Sequence, residues 1–324
     1  MTSPAVLCIG EVLFDYLAEQ LGRSFAEVES WTPYPGGAPA NVACALTRLG
    51  TPAAFIGCVG QDANGDELLA LMESLEVNLA GVQRHPQAPT RIVYVTRTLE
   101  GDRQFAGFGD YETTAFADTY LNAEGLPQSL FSNAKFLILG TLELAYPTSR
   151  AALDQAVQWA QHYGIQRFVD INWRPVFWPN LDEAPPRILE LLSQADFIKA
   201  SDEEAQWLLG SDDPQTIQHH YPQAKGVLIT KGDRGCSYWL HGATGEVPAF
   251  QVPVVDTTGA GDAFVAGFIH QLCSQPHLDL SNPAIAQQVI RYASAVGALT
   301  VTQAGAIAAQ PQPDDLVSFL ADHG

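Results

Sequence analysis

Short, unbroken apolar runs alternate along this chain with stretches whose apolar positions fall at helical spacing. Residues 5–9 form the first run and Gly10 stops it. A run with no polar alternation marks a strand buried on both faces of a parallel sheet. Residues 53–59 repeat the pattern, and 134–139, 167–171, 197–200 and 227–230 read as further strands, mainly apolar apart from Lys135, Arg167, Asp170, Lys199 and Thr230. Between them, residues 38–49, 66–75, 148–163 and 187–192 read as helices, the first of them ended by Gly50 and Pro52. This alternation predicts a doubly wound, mainly parallel α/β sheet with helices on both faces. Residues 91–96 and 103–108 depart from it: two extended runs flank Glu100-Gly101-Asp102 and predict a β-hairpin. Residues 16–34 are irregular and more polar. Residues 250–255 read as one more strand, leading into Asp256-Thr257-Thr258-Gly259-Ala260-Gly261-Asp262 and then an apolar helix over 263–269. Residues 283–301 form a long helix rich in alanine and glycine.

Composition narrows the partners. A chain of 324 residues that is 47% hydrophobic and 16% charged can bury a sizeable core, as one large α/β domain or two smaller ones. Its 36 acidic residues against 16 basic ones give a net charge of −20, and no basic run interrupts that balance. Nucleic acid and anionic membrane surfaces are therefore not expected as partners. The five cysteines (Cys8, Cys44, Cys58, Cys236, Cys273) are widely spaced among apolar neighbours, without a Cys-x-x-Cys pair. They read as buried thiols of a cytoplasmic protein. The apolar stretch over 5–13 is broken by Gly10 and Glu11, so neither a signal peptide nor a membrane span is expected.

Candidate chemistry concentrates at residues 256–262. Unpaired N–H groups at a helix start, with the positive end of the helix dipole, attract an anion, and Gly259, Ala260 and Gly261 let a phosphate come close. Asp262 then stands in the first turn beside that place. Gly36-Gly37 turns the chain ahead of a helix carrying Asn41, and paired glycines again allow close backbone approach. Asp15 follows the first strand near its C-terminal edge, where ligands of open α/β sheets bind, and Glu143, Asn172 and Arg174 follow later strands at the same edge. Glu11 reads as a solvated turn acid. Ser201 and Glu204 have the spacing of a capping box. Neither a Gly-x-x-x-x-Gly-Lys-Ser/Thr loop nor a Gly-x-Gly-x-x-Gly turn after the first strand is present, which removes the main support for a P-loop NTPase or a nicotinamide dehydrogenase. The eight histidines show no metal-ligand spacing.

Asp256 to Asp262 resembles the C-terminal signature of the ribokinase-type (PfkB) carbohydrate kinases, and residues 35–43 running on to Leu49-Gly50 resemble the N-terminal one. The resemblance extends over nearly the whole chain. It implies one ribokinase-like domain over 1–324, with a small β-sheet lid inserted at about 12–34 and 90–112 that closes over the sugar. It further implies that Asp262 is the base, with Gly259, Ala260 and Gly261 holding the phosphoryl group. Asp15, Gly36, Gly37, Asn41, Glu143 and Arg174 would meet the substrate, and Ser201, Thr230, Gly232, Gly235, Gly261 and Ser294 the nucleotide. ATP and magnesium are implied cofactors, with Glu204 acting on the metal indirectly. A potassium site is implied near Asp256, Thr258, Thr300, Gln303 and Gly305, and a homodimer through the lid. The tail Gly305-Ala306-Ile307 resembles fructokinases, implying conversion of D-fructose to fructose 6-phosphate. The stretch 105–110 departs from the arginine-containing fructokinase pattern. Ribokinase, 2-keto-3-deoxygluconate kinase, nucleoside kinase or a catalytically silent sugar- or nucleotide-binding regulator therefore stay open at this point.

Overall fold

Apolar runs become strands wherever a neighbouring strand is available to take up their backbone hydrogen bonds. In the computed structural model, which describes residues 3–99, 103–275 and 277–323, the strands are β1 (Val6–Ile9), β2 (Leu13–Ala18), β3 (Trp31–Gly36), β4 (Ala53–Gly60), β5 (Asn78–His85), β6 (Ile92–Arg97), β7 (Arg103–Gly107), β8 (Phe136–Leu139), β9 (Gln166–Asp170), β10 (Phe197–Ser201), β11 (Gly226–Thr230), β12 (Cys236–Leu240) and β13 (Ala243–Val247). The helices are α1 (Ala38–Arg48), α2 (Ala63–Ser74), α3 (Pro147–Tyr163), α4 (Ala184–Leu192), α5 (Asp202–Leu209), α6 (Pro214–His220), α7 (Ala260–Ser274), α8 (Pro283–Thr300) and α9 (Pro313–Asp322).

Nine strands form one sheet in the order β13-β12-β11-β10-β9-β8-β1-β4-β5. Pairing is parallel from β5 to β11 and antiparallel between β11, β12 and β13. Side-chain alternation splits the core in two. Val6, Cys8, Phe55 and Phe197 pack with α1, α2, α7 and α8 on one face, while Leu7, Ile9, Ile56 and Ile198 pack with α3, α4 and α6 on the other. Both faces are covered, as expected for all-apolar strands. Four strands form a separate small sheet, β3-β2-β6-β7, in which β6 and β7 are the expected hairpin. The turn expected at Glu100-Gly101-Asp102 lies outside the described residues.

Two expectations are corrected. Residues 250–255 are not a strand. Pro253 interrupts them and Pro248 precedes them, β13 has already ended the sheet, and Val254 and Val255 are each 63% exposed. The helix expected over 66–75 begins three residues earlier, where Asp62 caps it by accepting from Gly65 N at 2.8 Å. Four cysteines are buried and Cys273 partly so; burial pushes the thiols of Cys44 and Cys236 up to about 12. Among the described residues no helix is long and apolar enough to cross a membrane.

Candidate active site

α7 begins where the chain must fold back on itself. Asp256 ties the approach: its Oδ1 accepts from Thr258 N (3.0 Å) and Thr258 Oγ1 (2.7 Å), and its Oδ2 accepts from Gly305 N (2.9 Å) and Arg103 Nη2 (2.7 Å). Burial would raise the Asp256 pKa, but these amide and hydroxyl donors with Arg103 hold it below the usual carboxylate value. Gly259 has φ +78°, and a Cβ there would stand 2.7 Å from the Ala306 methyl carbon, so a side chain is excluded on both counts. Helical turns follow at once, with Gly261 and Asp262 in the first. The side chain of Asn41, on α1, donates to Asp262 Oδ2 at 2.7 Å. Gln310 Nε2 donates to Asn41 O at 2.8 Å, fixing α1 at that point. Burial raises the Asp262 pKa, while the Asn41 bond and the charges of Lys199 and Arg174 oppose the rise.

The two signatures thus meet side by side, although 221 residues separate Asn41 from Asp262. Gly37, at φ +104°, caps α1; a Cβ there would fall 2.5 Å from Glu11 O, so backbone packs against backbone. A Cβ on Gly36 would lie 3.3 Å from Asp15 Oδ2, which sets the second glycine against the acid of β2. Burial pushes the Asp15 carboxyl up to about 6, with Arg103 and Arg174 pulling the other way and Asp256 adding to the rise. Arg174 is exposed and donates to Trp173 O, and its charge reaches both Asp15 and Asp262.

Glu11 is a correction. It is 6% exposed, not solvated, and its Oε1 accepts from Ala38 N at 2.8 Å, the first amide of α1. Burial pushes its carboxyl up to about 7. Glu143 is more enclosed still, at 2% exposure, and neither carboxyl oxygen has a hydrogen-bond partner. Burial and the neighbouring Glu11 charge hold its pKa far above the usual range. The structure thus seats Glu143 as an enclosed acid against Gly10 and Glu11.

On the other side of the α7 start is a cavity of about 430 Å³. Thr230, Gly232, Gly235, Gly261 and Ser294 all line it. Gly232 (φ +58°) and Gly235 (φ +97°) turn the chain there, and a Cβ on Gly235 would clash with Val247 O. Gly297 and Ala298 present the small-residue face of α8 to the same space, and Phe250, Val252 and Val254 close it. Sequence reasoning missed the last three because it took residues 250–255 for a buried strand. Their apolar character in a chain interrupted by prolines was the signal. Ser201 lies outside this lining, and its hydroxyl accepts from Glu204 N at 3.1 Å. Glu204 accepts from Ser201 N at 2.8 Å and Trp173 N at 2.6 Å, completing the capping box of α5. Thr300 is buried with its hydroxyl donated to Val296 O, Gln303 is exposed, and Gly305 is buried at φ +87°. No group of three or more His, Cys, Asp or Glu able to hold a metal occurs among the described residues.

Comparison with known proteins bears on this geometry. The pfkB family carbohydrate kinase model matches residues 3–313. A protein described as a probable chloroplastic fructokinase-6 from Arabidopsis thaliana is 38% identical over 313 residues, covering 95% of this chain and 80% of that protein. The crystal structure of a fructokinase with bound ATP from Xylella fastidiosa superposes with a TM-score of 0.88 at 32% identity, covering 98% of both chains. A double mutant of a fructokinase from Vibrio cholerae O395, in a form with fructose, ADP and potassium ion bound, gives a TM-score of 0.84 at 27% identity, again over 98% of both chains.

Proposed function

The chain belongs to the pfkB family of carbohydrate kinases, and on that premise we propose that this ATP-dependent sugar kinase converts D-fructose to fructose 6-phosphate. One observation carries the chemistry: Asp262, in the first turn of α7, is held by Asn41 at 2.7 Å between the 430 Å³ cavity and the glycine pair beside Asp15. In this reading the sugar 6-hydroxyl gives its proton to the Asp262 carboxylate as its oxygen bonds to the γ-phosphorus. The bond from that phosphorus to the β,γ-bridging oxygen breaks, and ADP leaves. A carboxylate whose pKa burial has raised is a stronger base than a solvated one, which suits this task. The N–H groups of Gly259 and Gly261 hold the phosphoryl oxygens, joined by that of Ala260 once it leaves its 3.3 Å bond to Thr257 O, and Thr230, Gly232, Gly235 and Ser294 receive the nucleotide. Asp15, Gly36, Gly37 and Asn41 hold the sugar, with Arg174 reaching toward phosphate from the exposed rim.

Magnesium, when bound with the phosphates, neutralises their negative charge. The chain fits a metal that keeps its waters, since no acidic cage is present among the described residues and both Glu204 oxygens already accept from backbone amides. Glu204 would therefore act through metal-bound water. Potassium would find backbone carbonyls where Asp256 ties residues 256–258 to Gly305. The small sheet acts as a lid over the sugar, and the exposed Leu21 and Phe25 in the connection between β2 and β3, with Phe105 on β7, support pairing of two copies there. Free cysteines, four of them buried, support a cytoplasmic setting.

The test is a panel of fructose, ribose, 2-keto-3-deoxygluconate and nucleosides, with magnesium and potassium supplied and the products identified. Fructose should give the highest kcat/KM, and Asp262→Asn should lower kcat by about 10²–10⁴ while retaining ATP binding. A higher kcat/KM for ribose or ketodeoxygluconate overturns the fructose assignment, and near-normal turnover by Asp262→Asn removes that residue from the mechanism.

A further inference from the structure

Lys199 is an unusual residue for its position. It stands inside β10, an interior strand of the large sheet, between Asp170 of β9 and Leu228 of β11 in the register. The residue is buried, and a lysine is rarely buried without a partner. Its Nζ donates to Asp170 Oδ2 at 2.9 Å, with both side chains at least nine-tenths enclosed. Burial alone would lower its pKa, but Asp170, Glu204 and Asp262 more than offset this, so the ammonium stays charged.

An ammonium carries three N–H bonds. Asp170 takes one, and no second protein acceptor for Nζ is found among the described residues. The direction of the group is fixed by a separate observation. A Cβ built on Gly261 would lie 3.1 Å from Lys199 Nζ, with nothing nearer. The cation is therefore directly beneath the glycine turn at the start of α7, and the absence of a side chain at Gly261 keeps the space open. A lysine serving only to neutralise Asp170 has no need of an open face toward that turn.

We propose that Lys199 is a catalytic residue of this kinase, its ammonium donating to a γ-phosphoryl oxygen as that group passes from ATP to the sugar, with Asp170 as the positioning residue that aims it. This rests on the kinase reading of the site and adds to it a side-chain cation on the protein side of the phosphoryl group. The backbone N–H groups of 259–261 supply dipoles, whereas Lys199 supplies a full charge in a water-poor setting, where it acts on developing negative charge most strongly. Asp170 lies next to it across the sheet, so the ammonium is held before substrate arrives and needs no reorganisation during transfer.

The proposal is tested with Lys199→Met, Lys199→Arg and the double variant Lys199→Met/Asp170→Asn. Lys199→Met leaves Asp170 buried without its cation, so loss of folding in that variant alone would be uninformative. The double variant removes both charges and avoids this. It should melt near the wild-type temperature yet keep kcat lowered by about 10²–10³, the scale of one electrostatic donor, with fructose KM within about twofold. Lys199→Arg, which keeps the charge with a bulkier head, should recover part of kcat. Calorimetry should find a non-hydrolysable ATP analogue bound at least about tenfold more weakly by the double variant, and ADP bound within about twofold of wild type. Recovery of turnover in the double variant would reduce Lys199 to a partner for Asp170 and overturn the proposal, as would equal weakening of ADP and the ATP analogue. Absence of any sugar phosphorylation by the wild type would instead sink the kinase reading on which it rests.

Discussion

A carboxyl group partly withdrawn from water costs stability in its charged form, and Asp15 is such a group. Burial moves its pKa from 3.8 to about 6. The folded chain therefore binds this proton more tightly than the unfolded one, so the associated stability is fully present below about pH 4 and is lost as pH rises through about 6. Asp15→Asn should match wild type in unfolding free energy from denaturant titration near pH 4 and exceed it at pH 7.5 by about 2–3 kcal/mol, given two pKa units at ~1.4 kcal/mol each. The same variant should lower kcat/KM for fructose by about five- to hundredfold, because a hydroxyl that meets an amide in place of a carboxylate loses about 1–3 kcal/mol. An identical pH dependence of stability in both proteins would mean that Asp15 does not titrate in this window. At this scale the sequence spoke clearly where a residue sits in a short motif, as Asn41 and Asp262 do. It misread Glu11 as solvated and was silent on Lys199, because the meaning of both comes from what the fold packs on top of them.

Elements were legible in proportion to how completely they are buried. The strands β1, β4 and β8 are apolar throughout, and β10 and β11 are so apart from Lys199 and the hydroxyls that end them, because both faces of the large sheet are covered, and each stands out as a run. By contrast, β3 and β5 are mostly half-exposed, with mixed composition that gives no periodic signal. Residues 250–255 show the converse error, apolar because they wall a cavity and not because they pair. The hairpin was visible, but not where it reaches: Arg103 at the start of β7 contacts Asp256 at 2.7 Å, joining the small sheet to the approach of α7. We read that contact as a latch for the proposed lid, with Asp256 buried and Arg103 about one-third exposed. Arg103→Ala should raise fructose KM by about three- to tenfold, in keeping with the ~1 kcal/mol of a partly exposed pair. It should also raise the ratio of ATP consumed to fructose 6-phosphate formed. Since the Arg103 charge lowers the Asp15 pKa, its removal should move the acid limb of the kcat/KM profile to higher pH. Unchanged KM, coupling ratio and profile together would show that this ion pair does not hold the lid.

For the molecule as a whole, the net charge of −20 opposes the approach of ATP, itself an anion. Fructose is neutral and feels no such field, which makes it an internal control. The Debye length falls from about 30 Å at 0.01 M salt to about 8 Å at 0.15 M. At low salt, therefore, acidic residues over much of the surface act on the nucleotide, whereas at 0.15 M only nearby groups do. The groups near the site are mixed: Lys199 lies beneath the α7 start and Arg174 on its rim, beside Asp15 and Asp262. Most enzymes that bind phosphates through an exposed basic surface lose affinity as salt rises, and this chain should do the opposite. With magnesium in fixed excess, KM for ATP should fall by about two- to fivefold between 0.01 M and 0.15 M salt, through faster association. KM for fructose should stay constant over the same range. A rise in the ATP KM with salt would mean that Lys199, Arg174 and the α7 dipole outweigh the global field even at long range, and that screening removes more attraction than repulsion.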